Sequence, residues 1–343
     1  AMMPFMTLIM NGTSLLIVWF GGKAMDNGTM QVGEMIAFIT YTMQIVMSFL
    51  MLAMVAVMLP RAGVAAERID EVIRTRATIN DPDEAAAKPA QEHENWQGEV
   101  EFHDVSFRFP GADSDALEHI SFTAKPGQTT AIIGSTGSGK STLVNLIPRF
   151  YDVTSGDITL DGVDIREVKQ HELREKLGYV PQKGILFSGT IDSNIRYGKT
   201  DISEEEVKEA AQVAQAEEFI VTKPEGYESP IAQGGSNVSG GQKQRLSIAR
   251  AIAKKPEIFI FDDSFSALDF KTDSTLRKAL KEHTKDTTTI IVAQRISTIL
   301  NADKIIVLDD GRMAGIGTHK ELMKNCEVYR QIAMSQLSEE ELA

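Results

Sequence analysis

The sequence predicts a chain of mixed class, in which two apolar helices precede a soluble α/β domain. Two runs, 1–22 and 35–60, contain no charged residue, and each is long enough to cross a hydrocarbon core of about 30 Å. Further along, a glycine-rich stretch at 134–141 joins a β-prone run to a helical one, and this alternation is typical of α/β folds. We therefore divide the chain into an apolar segment 1–80, a linker 81–95 and a soluble domain 96–343.

The apolar segment has the composition and the flanking charges of a membrane hairpin. Twelve of the fifteen methionines lie before residue 60, and Lys23 is the one cation of the connector 21–33. Four arginines follow the second run: Arg61, Arg68, Arg74 and Arg76. This asymmetry predicts that the second helix ends in the cytoplasm, at the plasma membrane. Its helical pattern continues to Ile73 and predicts a break around 80–82. A buried hairpin of a soluble protein is the alternative.

Charge and cysteine content describe the rest of the chain. The linker 81–95 is polar and has no apolar period, which favours a mobile connector. Residues 1–80 hold five basic and five acidic side chains, so the net charge of −13 belongs to the remainder. An acidic domain argues against nucleic acid as a partner. Cys326 is the single cysteine, which excludes an internal disulfide and suits a reducing compartment.

The stretch GSTGSGKS matches the phosphate-binding pattern GxxxxGK[ST] in full. A β-prone run, 129–133, precedes it and a helical run follows, so backbone amides and the start of the helix can face phosphate. Lys140 supplies a charge for the β- and γ-phosphates of ATP, and the Ser141 hydroxyl can ligate Mg²⁺. A simple glycine-rich turn would not require the lysine and serine. The candidate nucleotide-binding residues here are Gly134, Ser135, Thr136, Gly137, Ser138, Gly139, Lys140, Ser141 and Thr142.

Alternating apolar residues over 99–109 predict strands with one buried face. Phe109 lies 25 residues before Gly134; it is a candidate for stacking on adenine, and packing within the sheet is an equal alternative. The runs 157–160 and 177–180 are further predicted strands, and Gln182 follows the second of them. Ligands of α/β sheets bind at such strand ends.

Three later segments place polar residues at the ends of regular elements. A helix is predicted over 203–219, with Ser203 as its cap and acidic residues in its first turn. The amide-rich turn 237–242 leads into another helix. The apolar strand 258–261 ends in Asp262 and Asp263, and a second apolar strand, 289–293, ends in Gln294. Two buried strands are therefore expected to bring polar side chains to one edge of the sheet.

Together these motifs resemble those of an ABC exporter, in the family's order and spacing. GSTGSGKS resembles the Walker A motif, Gln182 the Q-loop, NVSGGQ the signature, IFIFDD the Walker B motif, SALD the D-loop and Gln294 the switch position. The resemblance implies a P-loop NTPase with a RecA-like core, an antiparallel β subdomain and a helical subdomain. It also implies that 1–75 are the last two of the six membrane helices of an exporter half.

Further implications of the resemblance concern the partner and the ligands. Two such domains dimerise head to tail, so that each ATP lies between the Walker motifs of one chain and the signature of the other. The implied metal ligands are Ser141, Gln182 and Asp262. The signature residues that would contact ATP are Ser239, Gly240, Gly241 and Gln242.

Two departures from the family pattern fall in one site. Asp263 stands where most members have a glutamate as general base, and Gln294 stands where most have a histidine that contacts the γ-phosphate. With Gln182, these are the candidate catalytic positions. An aspartate is one methylene shorter than a glutamate, and displacing a base by about 1 Å can cost roughly a hundredfold in rate. The pattern resembles the half of a heterodimeric exporter whose own ATP site is degenerate, binding ATP and hydrolysing it slowly.

The predicted function is therefore ATP-driven export of a hydrophobic or amphipathic substrate, as in multidrug exporters, with ATP hydrolysis coupled to transport. The expected partners are a second half-transporter, the lipid bilayer and a small hydrophobic substrate, and drug, lipid and peptide all stay open. A catalytically competent homodimer is the first alternative. A soluble ABC ATPase acting as a clamp, and a channel or sensor that uses ATP only as a ligand, are alternatives from other classes.

Overall fold

The computed structural model describes residues 2–83, 96–199 and 201–337. The chain divides into two units, 1–78 and 79–343. Most of the predicted linker, from 84 to 95, lies outside the described residues.

The first unit contains two long helices, α1 (Met2–Asp26) and α2 (Val32–Arg74). At 1.5 Å per residue, the 43 residues of α2 extend for about 65 Å, roughly twice the thickness of a hydrocarbon core. Both helices are long and apolar enough to cross a membrane, and their apolar side chains are largely exposed; Leu15, for example, is 72% exposed. The helix α2 ends before the predicted break around 80–82, because Thr75 adopts an extended conformation and caps it.

Several hydroxyl groups within these helices are satisfied by the helix itself. Four of them donate to the carbonyl oxygen four residues earlier, at distances of 2.7 to 3.0 Å: those of Thr7, Thr40, Thr42 and Ser48. A hydroxyl without a partner would be costly in hydrocarbon. Back-bonding of this kind therefore lets polar residues occupy a helix that faces lipid or other helices.

The second unit is built on two main sheets, as the fold class predicted. The first is antiparallel, with the order β2-β1-β4-β5, and the second has six strands in the order β12-β11-β3-β10-β9-β6, all parallel except the edge strand β12. A short β7–β8 pair completes the described strands. Their bounds are β1 Val100–Phe107, β2 Leu117–Ala124, β3 Thr129–Gly134, β4 Ser155–Leu160, β5 Val163–Asp164, β6 Leu177–Val180, β7 Gly189–Thr190, β8 Pro230–Ile231, β9 Ile258–Asp262, β10 Thr288–Val292, β11 Lys304–Asp309 and β12 Arg312–Gly317.

Helices cover the six-stranded sheet and form a separate group between β6 and β9 in the chain. Successive residues of one strand enter different cores: Phe259 and Phe261 pack into one, and Ile258 and Ile260 into the other. The sheet is thus buried on both faces, as parallel sheets require. The helices are α3 Lys140–Leu146, α4 Gln170–Glu175, α5 Ile191–Ile195, α6 Glu204–Val213, α7 Glu217–Ile220, α8 Gly240–Ala253, α9 Phe270–His283, α10 Ile296–Ile299, α11 His319–Asn325 and α12 Glu327–Gln336.

One predicted helix is interrupted. The segment 203–219 forms α6 and α7 instead of one helix, because Gln215 adopts a left-handed conformation with φ of 55°. The predicted cap is confirmed: the Ser203 hydroxyl accepts from the Glu206 amide at 3.2 Å. The break allows Ala214 and Ala216 to be buried together in the core.

Candidate functional site

The glycine-rich loop lies between β3 and α3, as predicted, and close packing explains two of its glycines. A Cβ at Gly134 would lie 2.1 Å from the Leu308 carbonyl oxygen, so the strand end has no room for a side chain. Gly139 has a φ of 94°, and a Cβ there would lie 2.7 Å from Leu117 Cδ2. The backbone can therefore turn sharply into α3 and leave its amides facing the cleft.

The ammonium group of Lys140 is held inside this loop. Its Nζ donates to the carbonyl oxygens of Gly134 at 2.9 Å and of Ser135 at 2.6 Å. Burial lowers the pKa of Lys140, although the negative charges of Asp263 and Asp262 act to raise it. These carbonyl groups are neutral, so an anion that enters the loop would give the Lys140 ammonium group an opposite charge to bind.

The Ser141 hydroxyl lies beside Asp262 at the end of β9. Its oxygen donates to Asp262 Oδ1 at 2.9 Å, and Asp262 is only 5% exposed. Burial raises the pKa of Asp262, and the charge of neighbouring Asp263 adds to the effect. A hydroxyl and a carboxylate are hard oxygen donors of the kind that Mg²⁺ takes. These two residues therefore fit a magnesium site, and a bound cation would relieve the repulsion between the carboxylates.

The three candidate catalytic positions meet at one oxygen atom. Asp263 Oδ2 accepts from Gln182 Nε2 at 2.9 Å and from Gln294 Nε2 at 2.6 Å. We call this arrangement the amide clamp. The residues follow β6, β9 and β10, which are adjacent and parallel, so their carboxyl ends share one edge of the sheet. Asp263 itself has a left-handed φ of 46°, a conformation that aspartate tolerates better than most residues.

An open cleft of about 380 Å³ lies over the loop and the amide clamp. Phe109 is at its rim, 38% exposed, and contacts Phe107 and Tyr151 edge to face at centroid distances of 4.8 and 5.4 Å. The Phe109 ring therefore packs against two aromatic neighbours and also lines the cleft. The remaining lining residues are Asp115, Ala116, Thr136, Gly137, Gly139, Lys140, Ser141, Thr142, Gln182, Asp263, Val292, Gln294, Asp310 and Gly311.

The four signature residues lie elsewhere. Ser239 caps α8: its hydroxyl accepts from the Gln242 amide at 3.3 Å, and Gln242 Oε1 accepts from the Ser239 amide at 3.1 Å. Gly240, which is exposed, and Gly241, which is half-buried, begin the first turn. Among the described residues that line the cleft, none comes from the signature. The structure therefore brings the Walker, Q-loop and switch positions together and leaves the signature available to another surface.

Sequence reasoning did not identify several residues of the site. Asp310 and Gly311 form the turn between β11 and β12 and line the cleft. An Asp-Gly pair predicts a hairpin turn, but it does not predict that this turn lies beside the phosphate-binding loop. Gln244 was also missed. It lies on the buried face of α8, where its amide contacts the loop that carries Gln182, and no sequence pattern marks such a contact.

Comparison with known proteins agrees with this geometry. The ABC transporter family model matches residues 117–266. An uncharacterized ABC transporter ATP-binding protein of Mycobacterium bovis is 48% identical over 338 residues, which are 98% of this chain and 57% of that protein. An ATP-dependent lipid A-core flippase of Saccharophagus degradans is 41% identical over 303 residues, or 88% of this chain and 50% of the flippase. The chain thus spans about half the length of these relatives.

A solved structure resembles the chain over almost its whole length. It is a bacterial Atm1-family ABC exporter with ATP bound, with a TM-score of 0.76 and 35% identity, covering 97% of this chain and 57% of that one. Its match includes the apolar helices as well as the α/β unit. The second unit therefore has the fold of an ABC transporter ATP-binding domain, a P-loop NTPase, and two apolar helices precede it in the chain.

Proposed function

We propose that this chain is the membrane-anchored, ATP-binding part of an ABC exporter that moves a hydrophobic or amphipathic substrate across the plasma membrane, with its α/β unit in the cytoplasm. The exporter resemblance covers both the apolar helices and the nucleotide-binding unit. A lipid A-core flippase is among the relatives, and a lipid is an amphipathic substrate. The arginines after the second apolar run favour the cytoplasmic placement.

The cleft suits Mg²⁺ and ATP. The loop amides and Lys140 would hold the phosphates, and Phe109 would offer its ring to the adenine base. Ser141, Asp262 and the Gln182 side-chain oxygen would hold the metal ion. When bound, Mg²⁺ supplies charge neutralisation for the β- and γ-phosphates. Gln182 Nε2 already donates to Asp263 Oδ2, so Oε1 is the atom that would take the metal ion.

The amide clamp is the single observation that carries the proposal of a degenerate site. A general base must hold an oxygen free to accept the proton of an attacking water. Two short hydrogen bonds to Asp263 Oδ2 occupy one of its two carboxylate oxygens and hold the side chain in one orientation, and this side chain is one methylene shorter than glutamate. Gln294 can donate a hydrogen bond to phosphate but cannot carry charge. We infer that the chain binds ATP in this cleft and hydrolyses it slowly.

The signature of this chain would serve the ATP site of a partner subunit. Ser239 and the first residues of α8 do not line the chain's own cleft, and the start of this helix could receive a phosphate from a second subunit. A partner half-transporter with an intact base would then hydrolyse ATP between its own Walker motifs and this signature. The partner's site, and not this chain's, would support most of the turnover.

The test uses the assembled transporter with the partner's catalytic glutamate changed to glutamine. ATP turnover should then nearly vanish. Adding Asp263→Glu and Gln294→His to this chain should restore part of it, because reach and contact with the γ-phosphate act together, and each change alone should restore less. Adding Lys140→Ala to the restored chain is the matched control, and it should remove the recovered activity again.

Near-normal turnover by the partner-disabled transporter, with Asp263 and Gln294 in place, would contradict the degenerate site. The competent homodimer would then be favoured. A chain that hydrolyses ATP without moving any lipid or drug in reconstituted vesicles would favour the non-transport clamp.

A further inference from the structure

A second cavity lies away from the ATP cleft, between the six-stranded sheet and the helices α9 and α10. Its volume is about 330 Å³, within the range of about 300–1,000 Å³ that is typical of small-molecule sites. None of the described residues that line it also lines the ATP cleft. A molecule bound in this second cavity would therefore not occupy the nucleotide site.

The inner wall of the cavity is apolar. Phe261 and Ile291 line it from β9 and β10, and Leu280 lines it from α9. Their side chains are buried, with exposed fractions of 0%, 8% and 6% in that order. Such a wall favours a ligand with an apolar body, because contact with the wall removes apolar surface of the ligand from water.

One buried hydroxyl group in the cavity has no hydrogen-bond partner. Thr289 on β10 lines the cavity and is 6% exposed, and within the described part of the chain its hydroxyl makes no hydrogen bond. Thr284, at the same cavity, donates instead to the Leu280 carbonyl oxygen at 2.9 Å. A buried hydroxyl without a partner is costly. An acceptor atom of a bound ligand would remove this cost at Thr289.

The charge of the cavity is opposite to that of the chain. The chain has a net charge of −13, yet the charged residues among the described lining are Arg277, Lys278 and Lys281, with no carboxylate. Arg277 is neutralised by Asp273, since its Nη2 lies 2.9 Å from Asp273 Oδ2. The two lysines form no ion pair with any described residue. Their ammonium groups therefore favour an anion.

Arg277 also joins the two helices that border the cavity. Its Nη1 donates to the carbonyl oxygens of Ser297 at 3.1 Å and Thr298 at 3.3 Å, both in α10, while Asp273 fixes the same guanidinium group from α9. The cavity is thus formed without a ligand, and a preformed site loses less free energy to ordering when it binds.

We propose that this cavity binds a small organic anion with an apolar body, such as a monocarboxylate that carries a ring. The Thr289 hydroxyl would donate to the carboxylate, and the flexible side chains of Lys278 and Lys281 would bring their charges to it. The apolar body would pack against Phe261 and Ile291. An inorganic anion would leave this wall without a partner, and a neutral apolar molecule would leave the two ammonium groups without one.

Titration calorimetry of the assembled transporter in lipid nanodiscs, without nucleotide, tests the site. The probes are 3-phenylpropanoate, its neutral counterpart 3-phenylpropanol, and acetate, which has the charge without the ring. Empty nanodiscs give the heat of partition into lipid. We expect saturable binding of 3-phenylpropanoate, and binding about tenfold weaker or more for each of the other two probes. Equal affinity for the alcohol or for acetate would overturn the proposed ligand class.

Variants locate the bound probe. Lys278→Gln combined with Lys281→Gln, and separately Thr289→Val, should each weaken 3-phenylpropanoate about tenfold or more. Lys271→Gln is the matched control, because Lys271 is exposed on the same helix and does not line the cavity; it should change the affinity by less than about twofold. Lys140→Ala should also leave the affinity unchanged.

Two further results would overturn the proposal. A loss of affinity in Lys140→Ala would place the probe in the ATP cleft, and an equal loss in Lys271→Gln would mean that the lysines act only through the general charge of α9. Unchanged affinity in the double lysine variant would likewise count against the site. The two lysines are exposed, so this variant should fold even where Thr289→Val does not, and thermal melts of every variant check the fold.

Discussion

The proposed role of the signature can be separated from its structural role, because the chain carries the same helix cap twice. Ser239 caps α8 and Ser203 caps α6. In each case the serine hydroxyl accepts from a backbone amide three residues later, at 3.3 and 3.2 Å, and the later side chain accepts from the serine amide. We therefore compare Ser239→Ala with Ser203→Ala.

The two substitutions should cost the fold about the same. Loss of a serine cap costs about 1 kcal/mol, which lowers the melting temperature of a domain of this size by about 2–4 °C. Only Ser239 would also donate to a phosphate held by the partner. Losing a hydrogen bond to a charged group costs about 1.5–3 kcal/mol, or roughly a tenfold to hundredfold loss of turnover at the partner's site.

The assay pairs thermal unfolding of each variant with ATP turnover of the assembled transporter. We expect equal shifts in melting temperature, a large loss of turnover for Ser239→Ala, and little loss for Ser203→Ala. ATP affinity in the chain's own cleft should change in neither variant, since neither serine lines it. Equal losses of turnover would mean that the cap acts only through helix stability, and the reasoning about the signature would fail.

Three further predictions concern the cleft itself. Lys140→Ala should weaken ATP binding about tenfold or more, by loss of a charged hydrogen bond, and unchanged affinity by calorimetry would contradict the site. Burial raises the pKa of Asp262 in the folded protein above its ordinary value of 3.8. The stability of the fold should therefore fall as the pH rises from 3.8 through the raised pKa of this carboxyl group. Asp262→Asn should flatten this pH dependence in thermal melts and abolish stabilisation by Mg²⁺ and ATP. Without nucleotide, Gly139→Ala should lower the melting temperature more than Gly137→Ala, since both glycines have positive φ and only Gly139 lacks room for a Cβ.

The main features of the fold could be predicted from sequence because they depend on local pattern. The two apolar helices, the strand before the glycine-rich loop and the strands ending at Val180 and Asp262 follow from composition and periodicity. The interruption at Gln215 could not be predicted, since it reflects tertiary packing that buries the alanines on either side. Strand order could not be predicted from periodicity either, because it depends on pairing between distant segments.

Only some members of the candidate site, and none of their contacts, could be predicted from sequence. The sequence indicated that Gln182, Asp263 and Gln294 follow strands and lie at one edge. That two amides meet the same carboxylate oxygen depends on the register between β9 and β10, which pairs Val292 with Asp262, and on the left-handed backbone of Asp263. Of the two Phe109 alternatives, the structure shows packing against Phe107; the ring also lines the cleft, and its stacking on adenine stays a prediction.

The amide clamp also explains why the two departures from the family pattern belong together. A short aspartate at 263 keeps its carboxylate near the strand ends, where the Gln182 and Gln294 amides can both reach it. Replacing Gln294 alone by histidine would remove its amide from the clamp, and lengthening residue 263 alone would move the carboxylate relative to both amides, with some backbone strain at φ of 46°. Each single change thus disturbs a satisfied arrangement without creating a complete catalytic one. This is why we expect activity to return mainly when both positions are changed, and why single substitutions would underestimate what the cleft can do.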